Sequence, residues 1–206
     1  MERAILQKET APVEARRFSD EAREALIKDG YVIINLTGKS IRRSHRERGF
    51  KFWSNWHKYI KVGSFETKGS MTSEVAIKPD APFIPGSNNK TLKEQKDMIA
   101  EFSRDLGKKI KGVKAIMGEA PDYVELAFTH LDAIGGRLHG EEYGYNFART
   151  KTPAVGFHVA VVGYFNNILG IGVTTWHRNE GQSRIYAAPI VVPAKSSLTR
   201  LAKVAA

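Results

Sequence analysis

The chain has 206 residues, a net charge of +10 and 42% hydrophobic residues, a composition typical of a folded, basic protein with one large domain. It contains no cysteine, so disulfides, zinc–thiolate sites, iron–sulfur clusters and thiol catalysis are excluded. We expect a single α+β domain over residues 1–193, a short basic tail over residues 194–206, and no cofactor.

The secondary structure of the first half of the chain is predicted from capping residues, the spacing of hydrophobic residues, and glycines that end helices. In chain order it comprises a helix from Ser19 to Lys28, a strand over 31–36, a basic helical segment from Ser40 to about Gly49, aromatic residues at helical spacing from Lys51, a strand over 74–78 and a loop over 79–90. The first 20 residues contain no apolar run of the kind that a secretory signal requires, which indicates a cytoplasmic protein.

The second half contains the two clearest helices and then a run of strands. In chain order it comprises a helix from Thr91 that ends at Gly112, a strand over 113–117, a helix from Pro121 to Ile134, and strands over 143–149, 157–165, 171–176 and 185–192. Thr91 and Glu94 have the spacing of a capping box. The order predicts an α+β fold, with helices of the first two thirds packed on a mainly antiparallel sheet formed largely by the C-terminal third.

Residues 152–177 contain no acidic residue, lysine or arginine, and are long enough to cross a bilayer. The segment is rich in valine and contains Pro153 and four glycines, which favours buried strands over a lipid-facing helix. We therefore predict a hairpin at Asn166-Asn167, since asparagine tolerates the positive φ of a tight turn, and no membrane partner.

The positive charge is concentrated in residues 39–61, which carry eight basic residues and one acid, Glu47. The tail from Lys195 adds three more bases, while the remaining 171 residues are neutral. A local surplus of this kind favours binding of nucleic acid or another polyanion through phosphate contacts. The predicted nucleic-acid-binding residues are Lys39, Arg42, Arg43, Arg46, Arg48, Lys51, Lys58 and Lys61.

Two observations decide how this basic segment is interpreted. Four guanidinium groups on one exposed face would support binding, whereas scattered or acid-paired groups would reduce the segment to a solubility feature. The aromatic residues from Phe52 to Tyr59 either stack on exposed bases or form a stripe that packs on the sheet.

Two loops are candidate anion sites because each precedes a helix. Thr37-Gly38-Lys39-Ser40 resembles the end of a phosphate-binding loop, but Ile33 stands where the full pattern requires glycine, so at most one phosphate is expected there. The second predicted anion-binding set is Ser87, Asn88, Asn89, Lys90 and Thr91, for which an ordinary turn and helix cap is the alternative.

An enzyme acting on an anionic metabolite is the competing hypothesis, with acid–base groups drawn from Glu125, His130, Asp132 and His177. His130, Asp132 and His177, followed by Arg184, have the order of an iron-oxygenase ligand set. Residues two apart on a helix point in different directions and cannot chelate one ion, so no metal is predicted.

A structural, self-assembling protein is the third hypothesis. It rests on Val159–Phe165 or Ile185–Val192, either of which is predicted to offer a sheet edge for oligomerisation.

Overall fold

The computed structural model describes residues 15–48, 66–140, 144–168 and 170–194, which form four helices and eight strands. The helices are α1 (Asp20–Lys28), α2 (Ile41–Arg48), α3 (Leu92–Lys109) and α4 (Ala120–Ile134). The strands are β1 (Val32–Thr37), β2 (Thr72–Ile77), β3 (Val113–Met117), β4 (Phe147–Pro153), β5 (His158–Asn166), β6 (Gly170–His177), β7 (Ile185–Tyr186) and β8 (Pro189–Pro193).

The helix ends follow from the capping residues. The Ser19 hydroxyl accepts a hydrogen bond from Ala22 N at the start of α1, and Thr91 and Glu94 form the predicted capping box of α3. Gly135 ends α4 in the left-handed conformation that favours glycine. These predicted helices are confirmed.

The strands form two sheets, and the predicted α+β class with mainly antiparallel pairing is confirmed. The first sheet has the order β1-β2-β8-β3 and the second β6-β5-β4-β7, in which only the β4–β7 pair is parallel. β5 and β8 are internal strands, so Val159–Phe165 does not present an edge, and the edge offered by β7 is two residues long. Oligomerisation through an edge therefore stays a prediction with less support.

The predicted strand over 185–192 divides into β7 and β8, which belong to different sheets. Side chains take the backbone hydrogen bonds at the crossing: Ala187 N donates to Ser87 Oγ, and Ala188 O accepts from the Tyr123 hydroxyl. Both alanines are buried, which allows the chain to pass between the two sheets.

The hairpin between β5 and β6 forms as predicted, but its left-handed residues differ from the expected ones. Tyr164 and Gly170 have positive φ, whereas Asn166 accepts a hydrogen bond from Ile168 N through its side chain. The asparagine therefore makes an Asx turn instead of supplying the positive φ.

The first sheet is covered on both faces. Its outer face packs on α1 and α3 through a cluster of Phe18, Ala22, Leu26, Tyr31, Ala76, Leu106, Ile110, Val113, Ala115 and Val191. Its inner face packs on α4 and the second sheet in the larger core, which includes Ile34, Leu36, Val75, Ile190, Val124, Phe128, Ala160, Val162, Ile171 and Val173. Helix α4 is therefore the central element, and its first nine residues, 120–128, are all buried.

The last turn of α4 is not part of the core. Ile134 is 53% exposed, because the buried part of the helix is its N-terminal half and its last turn extends beyond the sheets. Among the described residues, no helix combines the length and the apolar character that a membrane crossing requires.

A buried histidine gives the first testable prediction. His139 is buried, packs against Phe83 in a tilted arrangement with ring centroids 4.8 Å apart, and has no hydrogen-bond partner for either ring nitrogen within the described part of the chain. Burial lowers the pKa of His139 from 6.5 to about 3, so the folded protein holds its ring neutral. The unfolded chain binds this proton below pH 6.5, and stability falls as the pH is lowered from 6.5 towards 3.

We therefore expect His139→Phe to reduce acid sensitivity. Between about pH 3 and 6.5, the unfolding free energy of the wild type should depend on pH through His139 by up to about 1.4 kcal/mol per pH unit. In the variant this contribution should be absent, so its unfolding free energy should fall less steeply as the pH is lowered. Urea titrations at several pH values measure this slope. An unchanged slope would show that His139 is not the group responsible, and His158→Phe, at an exposed histidine, is the control.

Candidate anion-binding surfaces

Helix α2 turns one side towards α4 and the other towards solvent. Ile41 and Ser44 are buried, whereas Arg42, Arg43 and Arg46 are exposed. We call these three arginines the basic face. The spacing of Ile41 and Ser44, one apolar and one small residue three apart, is what directs the charged positions outward.

Two members of the basic face are paired with acids. Arg42 Nε lies 3.0 Å from Glu66 Oε1, and Arg43 Nε lies 2.6 Å from Glu47 Oε1. Glu47 also contacts Lys39 Nζ at 2.9 Å, and the hydrogen bonds from Arg43 and Lys39 lower the pKa of Glu47 to about 2. Arg46 has no acidic partner within the described ranges.

Arg48 points away from the basic face. Its guanidinium binds both carboxylate oxygens of Asp132, with Nη1 2.7 Å from Oδ1, and lies 5.2 Å from the ring centre of Phe128. Arg48 therefore joins α2 to α4. The predicted residues Lys51, Lys58 and Lys61, the aromatic segment around Trp53 and the tail from Lys195 lie outside the described residues.

The turn between β1 and α2 already holds an anion, which is the carboxylate of Glu125. Its Oε1 accepts from Thr37 N at 2.9 Å and from Thr37 Oγ1 at 2.6 Å, and its Oε2 accepts from Lys39 N at 3.3 Å and from the Ser70 hydroxyl. Gly38 N donates to Ser70 Oγ. The phosphate suggested for this turn is therefore replaced by a side chain of α4, and Glu125 anchors the turn.

Asp122, one turn before Glu125 on α4, works beside it. Its carboxylate accepts from Met71 N at 2.8 Å and from Glu119 N at 2.7 Å. Burial raises the pKa of Asp122. The two acids together fix the residues before β2 against the start of α2, which positions the basic face.

The predicted anion-binding loop over 87–91 uses many of its donors within the protein. Ser87 N donates to Ile84 O, Asn89 N to Gln182 O, and Thr91 N to Glu94 Oε2. The Asn88 side chain donates to Ser183 O. Anion binding by this loop, at Ser87, Asn88, Asn89, Lys90 and Thr91, stays a prediction. The donors used in these internal hydrogen bonds would have to be released to bind an anion.

Beneath this loop lies an arginine that the sequence analysis did not select. Arg149 on β4 is fully buried and donates to the carbonyls of His177 at 3.0 Å, Glu180 at 2.8 Å and Lys90 at 3.3 Å. It makes no ion pair with the described residues, and burial lowers its pKa to about 10, so it remains charged at neutral pH. No pattern in the sequence distinguishes it from an exposed strand arginine.

The candidate acid–base and metal residues are dispersed. His130 Nδ1 is paired with Gly136 O at 2.9 Å, Asp132 is bound by Arg48, and His177 packs against His158 with ring centroids 5.5 Å apart. Within the described ranges, no group of three or more His, Asp or Glu side chains is placed to hold a metal ion.

A cavity of about 330 Å³ lies between α3 and the loop before it. Phe83, Phe102 and Leu106 form apolar walls, and two lysines and two aspartates stand at its rim: Asp29, Lys78, Asp105 and Lys109. None of the proposed acid–base residues lines this cavity.

Comparison with known proteins gives no family assignment: no family model matches the chain, and no curated protein or solved structure matches it significantly.

Proposed function

We propose that this protein binds RNA or DNA through the phosphate backbone at the basic face of α2. The observation that carries the proposal is the exposure of Arg42, Arg43 and Arg46 together on the solvent side of one helix. Guanidinium groups remain charged and their planar donors match phosphate oxygens, so three on one face can contact several phosphates of a nucleic-acid backbone.

The ion pairs at this face are weak competitors. The side chains of Arg42 and Arg43 are still 54% and 62% exposed, and both use Nε to contact the carboxylate. Exposed pairs contribute about 0 to 1 kcal/mol, so a phosphate can bind the remaining donors or displace the carboxylate. Only the Arg48 pair, which is part of the α2–α4 contact, is expected to persist in the complex.

The sequence that follows α2 adds further positive charge. Residues 49–65 contain Lys51, Lys58 and Lys61 and no acid, so the net charge of the region is higher than that of the helix alone. Binding would proceed by release of counterions from the phosphate backbone, with little sequence selectivity. We also propose a cytoplasmic setting, which the absence of cysteine supports.

Neutralising the basic face tests the proposal. The variant Arg42→Gln/Arg43→Gln/Arg46→Gln is expected to bind a labelled random-sequence 20-mer at least about 10-fold more weakly at 50 mM salt, because about three phosphate contacts are lost. Fluorescence anisotropy measures the affinity, and thermal melting confirms that the variant folds.

The control removes equal charge elsewhere. Lys93→Gln/Lys96→Gln/Lys108→Gln changes three exposed lysines of α3 and is expected to alter affinity less than about threefold. If both variants lose the same affinity for the oligonucleotide, the arginines act only through the net charge of the protein and the proposal is wrong. If the arginine variant loses no affinity, the proposal is also refuted.

A further inference from the structure

A second cavity, of about 370 Å³, opens where β2 and β8 separate. These two strands share a single paired position, Ala76 with Val191, and the place beside the start of β2 is taken by Arg16, which pairs with Ser73. The cavity lies between Arg16, β2, β8, β3 and β4.

The backbone fixes the residues around this cavity. Arg16 O accepts from Glu74 N at 2.8 Å and from Ser73 Oγ at 3.3 Å, which holds the arginine against β2. Lys114 is paired with Val192 across β3 and β8, so both side chains lie on the same face of the sheet. Lys151 N donates to Gly118 O at 3.0 Å. Three separate segments thus bring three cations to one concave surface.

The charge of the lining is of one sign. Arg16, Lys114 and Lys151 line the cavity, and none of its lining residues is acidic. The nearest acid to Lys151 is Glu119, whose Oε1 lies 3.9 Å from Nζ, and Glu119 also binds Lys68 at 2.5 Å. Arg16 and Lys114 have no acidic partner within the described residues. Ile116 and Val192 form an apolar part of the lining.

We propose that this cavity binds a phosphate group, separately from the basic face and whether or not α2 binds nucleic acid. The three cations favour an anion of high charge density, and the hydroxyl of Thr72 at the rim offers a neutral hydrogen-bond partner. The volume suits a small phosphate or diphosphate ester and is too small for more than the end of a nucleic-acid chain.

Calorimetric titration with inorganic pyrophosphate tests the site directly. The wild-type protein is expected to bind one pyrophosphate, and Lys114→Gln/Lys151→Gln is expected to weaken that binding at least about 10-fold. Both lysines are exposed, so the variant should fold, and the two single variants, each expected to lose about threefold, provide a second measurement. The matched control is Lys96→Gln/Lys108→Gln on α3, which should leave the affinity within about twofold.

The outcomes separate this site from the basic face and identify the source of the phosphate. Arg42→Gln/Arg43→Gln/Arg46→Gln should leave pyrophosphate binding unchanged even if it abolishes oligonucleotide binding. Ribose 5-phosphate binding that depends on Lys114 supports a small-molecule source, whereas selective binding of a 5′-phosphorylated dinucleotide over its unphosphorylated form supports a nucleic-acid end. No pyrophosphate binding at millimolar concentration, or equal losses in the lysine variant and its control, would overturn the proposal.

Discussion

Replacing Arg149 with lysine is expected to lower the free energy of unfolding by about 3 kcal/mol, although the positive charge is kept. The guanidinium of Arg149 reaches the carbonyls of Lys90, His177 and Glu180 at the same time, from the middle of β4. An ammonium group on a shorter side chain cannot reach all three. At least two of these carbonyls would lose a charged donor, at about 1.5 to 3 kcal/mol each before relaxation.

The size of this effect follows from what Arg149 connects. The loop over 87–91 and the loop after β6 meet above β4, and a Cβ at Gly181 would lie 2.4 Å from the carbonyl atoms of Asn89. The two loops are therefore in close contact, with Arg149 beneath them as their common donor. Loss of the guanidinium should loosen both loops together.

Urea unfolding compares Arg149→Lys with Arg184→Lys, which makes the same change at an exposed arginine of the loop between β6 and β7. The control should change stability by less than about 0.5 kcal/mol. A loss below about 1 kcal/mol for Arg149→Lys would contradict the role assigned to its three carbonyl contacts.

Replacing Glu125 with alanine is expected to cost about 3 to 4 kcal/mol and to weaken oligonucleotide binding. The carboxylate is the acceptor for Thr37 N, Lys39 N and two hydroxyl groups, and the Glu125 side chain itself is buried. Alanine leaves these donors without an acceptor, and the start of α2 loses its attachment to α4. The basic face should then be less well positioned.

Chemical rescue tests whether Glu125 acts as an anion held by backbone amides. Formate or acetate at about 50 to 100 mM should restore part of the stability of Glu125→Ala by mass action and leave the wild type unchanged. The control is Glu101→Ala, at an exposed position of α3. This variant should have the stability of the wild type, and the added anion should not change it. Absence of rescue, together with a loss below about 1 kcal/mol, would contradict the anchoring role of Glu125.

The local parts of the fold were predictable from the sequence. Ser19, the Thr91–Glu94 capping box and Gly135 mark helix ends through contacts within a few residues, and the structure forms those ends. β3 was predicted with its observed bounds, Val113–Met117. Signals of this kind are contained in a short window of sequence.

The parts decided by distant contacts were not predictable. Glu125 was selected from the sequence as an acid–base candidate. Its hydrogen-bond partner Thr37 is 88 residues away in the chain, and this contact makes Glu125 an anchor for the turn before α2. The division of 185–192 depends on Tyr123 and Ser87, which take the backbone hydrogen bonds of Ala188 and Ala187. Neither effect has a signature in the local hydrophobic pattern.

The candidate site also combines features that the local sequence predicts with features that depend on distant contacts. The sequence left open whether the four arginines share one exposed face or are paired with acids; the structure exposes Arg42, Arg43 and Arg46, and pairs the first two of these with acids. The acids that pair with this region, Glu66 and Asp132, come from other parts of the chain, so their contacts could not be inferred from residues 39–61. The cationic cavity also escaped the sequence analysis, because Arg16, Lys114 and Lys151 are brought together only by the sheets.

The salt dependence of oligonucleotide binding tests the central proposal most directly. For wild-type protein and a short duplex, the slope of log Kobs against log salt should be steep, since each phosphate contact contributes about −0.9. In Arg42→Gln/Arg43→Gln/Arg46→Gln the slope should become shallower by about 2 to 3, with the Lys93, Lys96 and Lys108 control variant close to wild type. Identical slopes for the wild type and the arginine variant would contradict a phosphate interface at the basic face of α2.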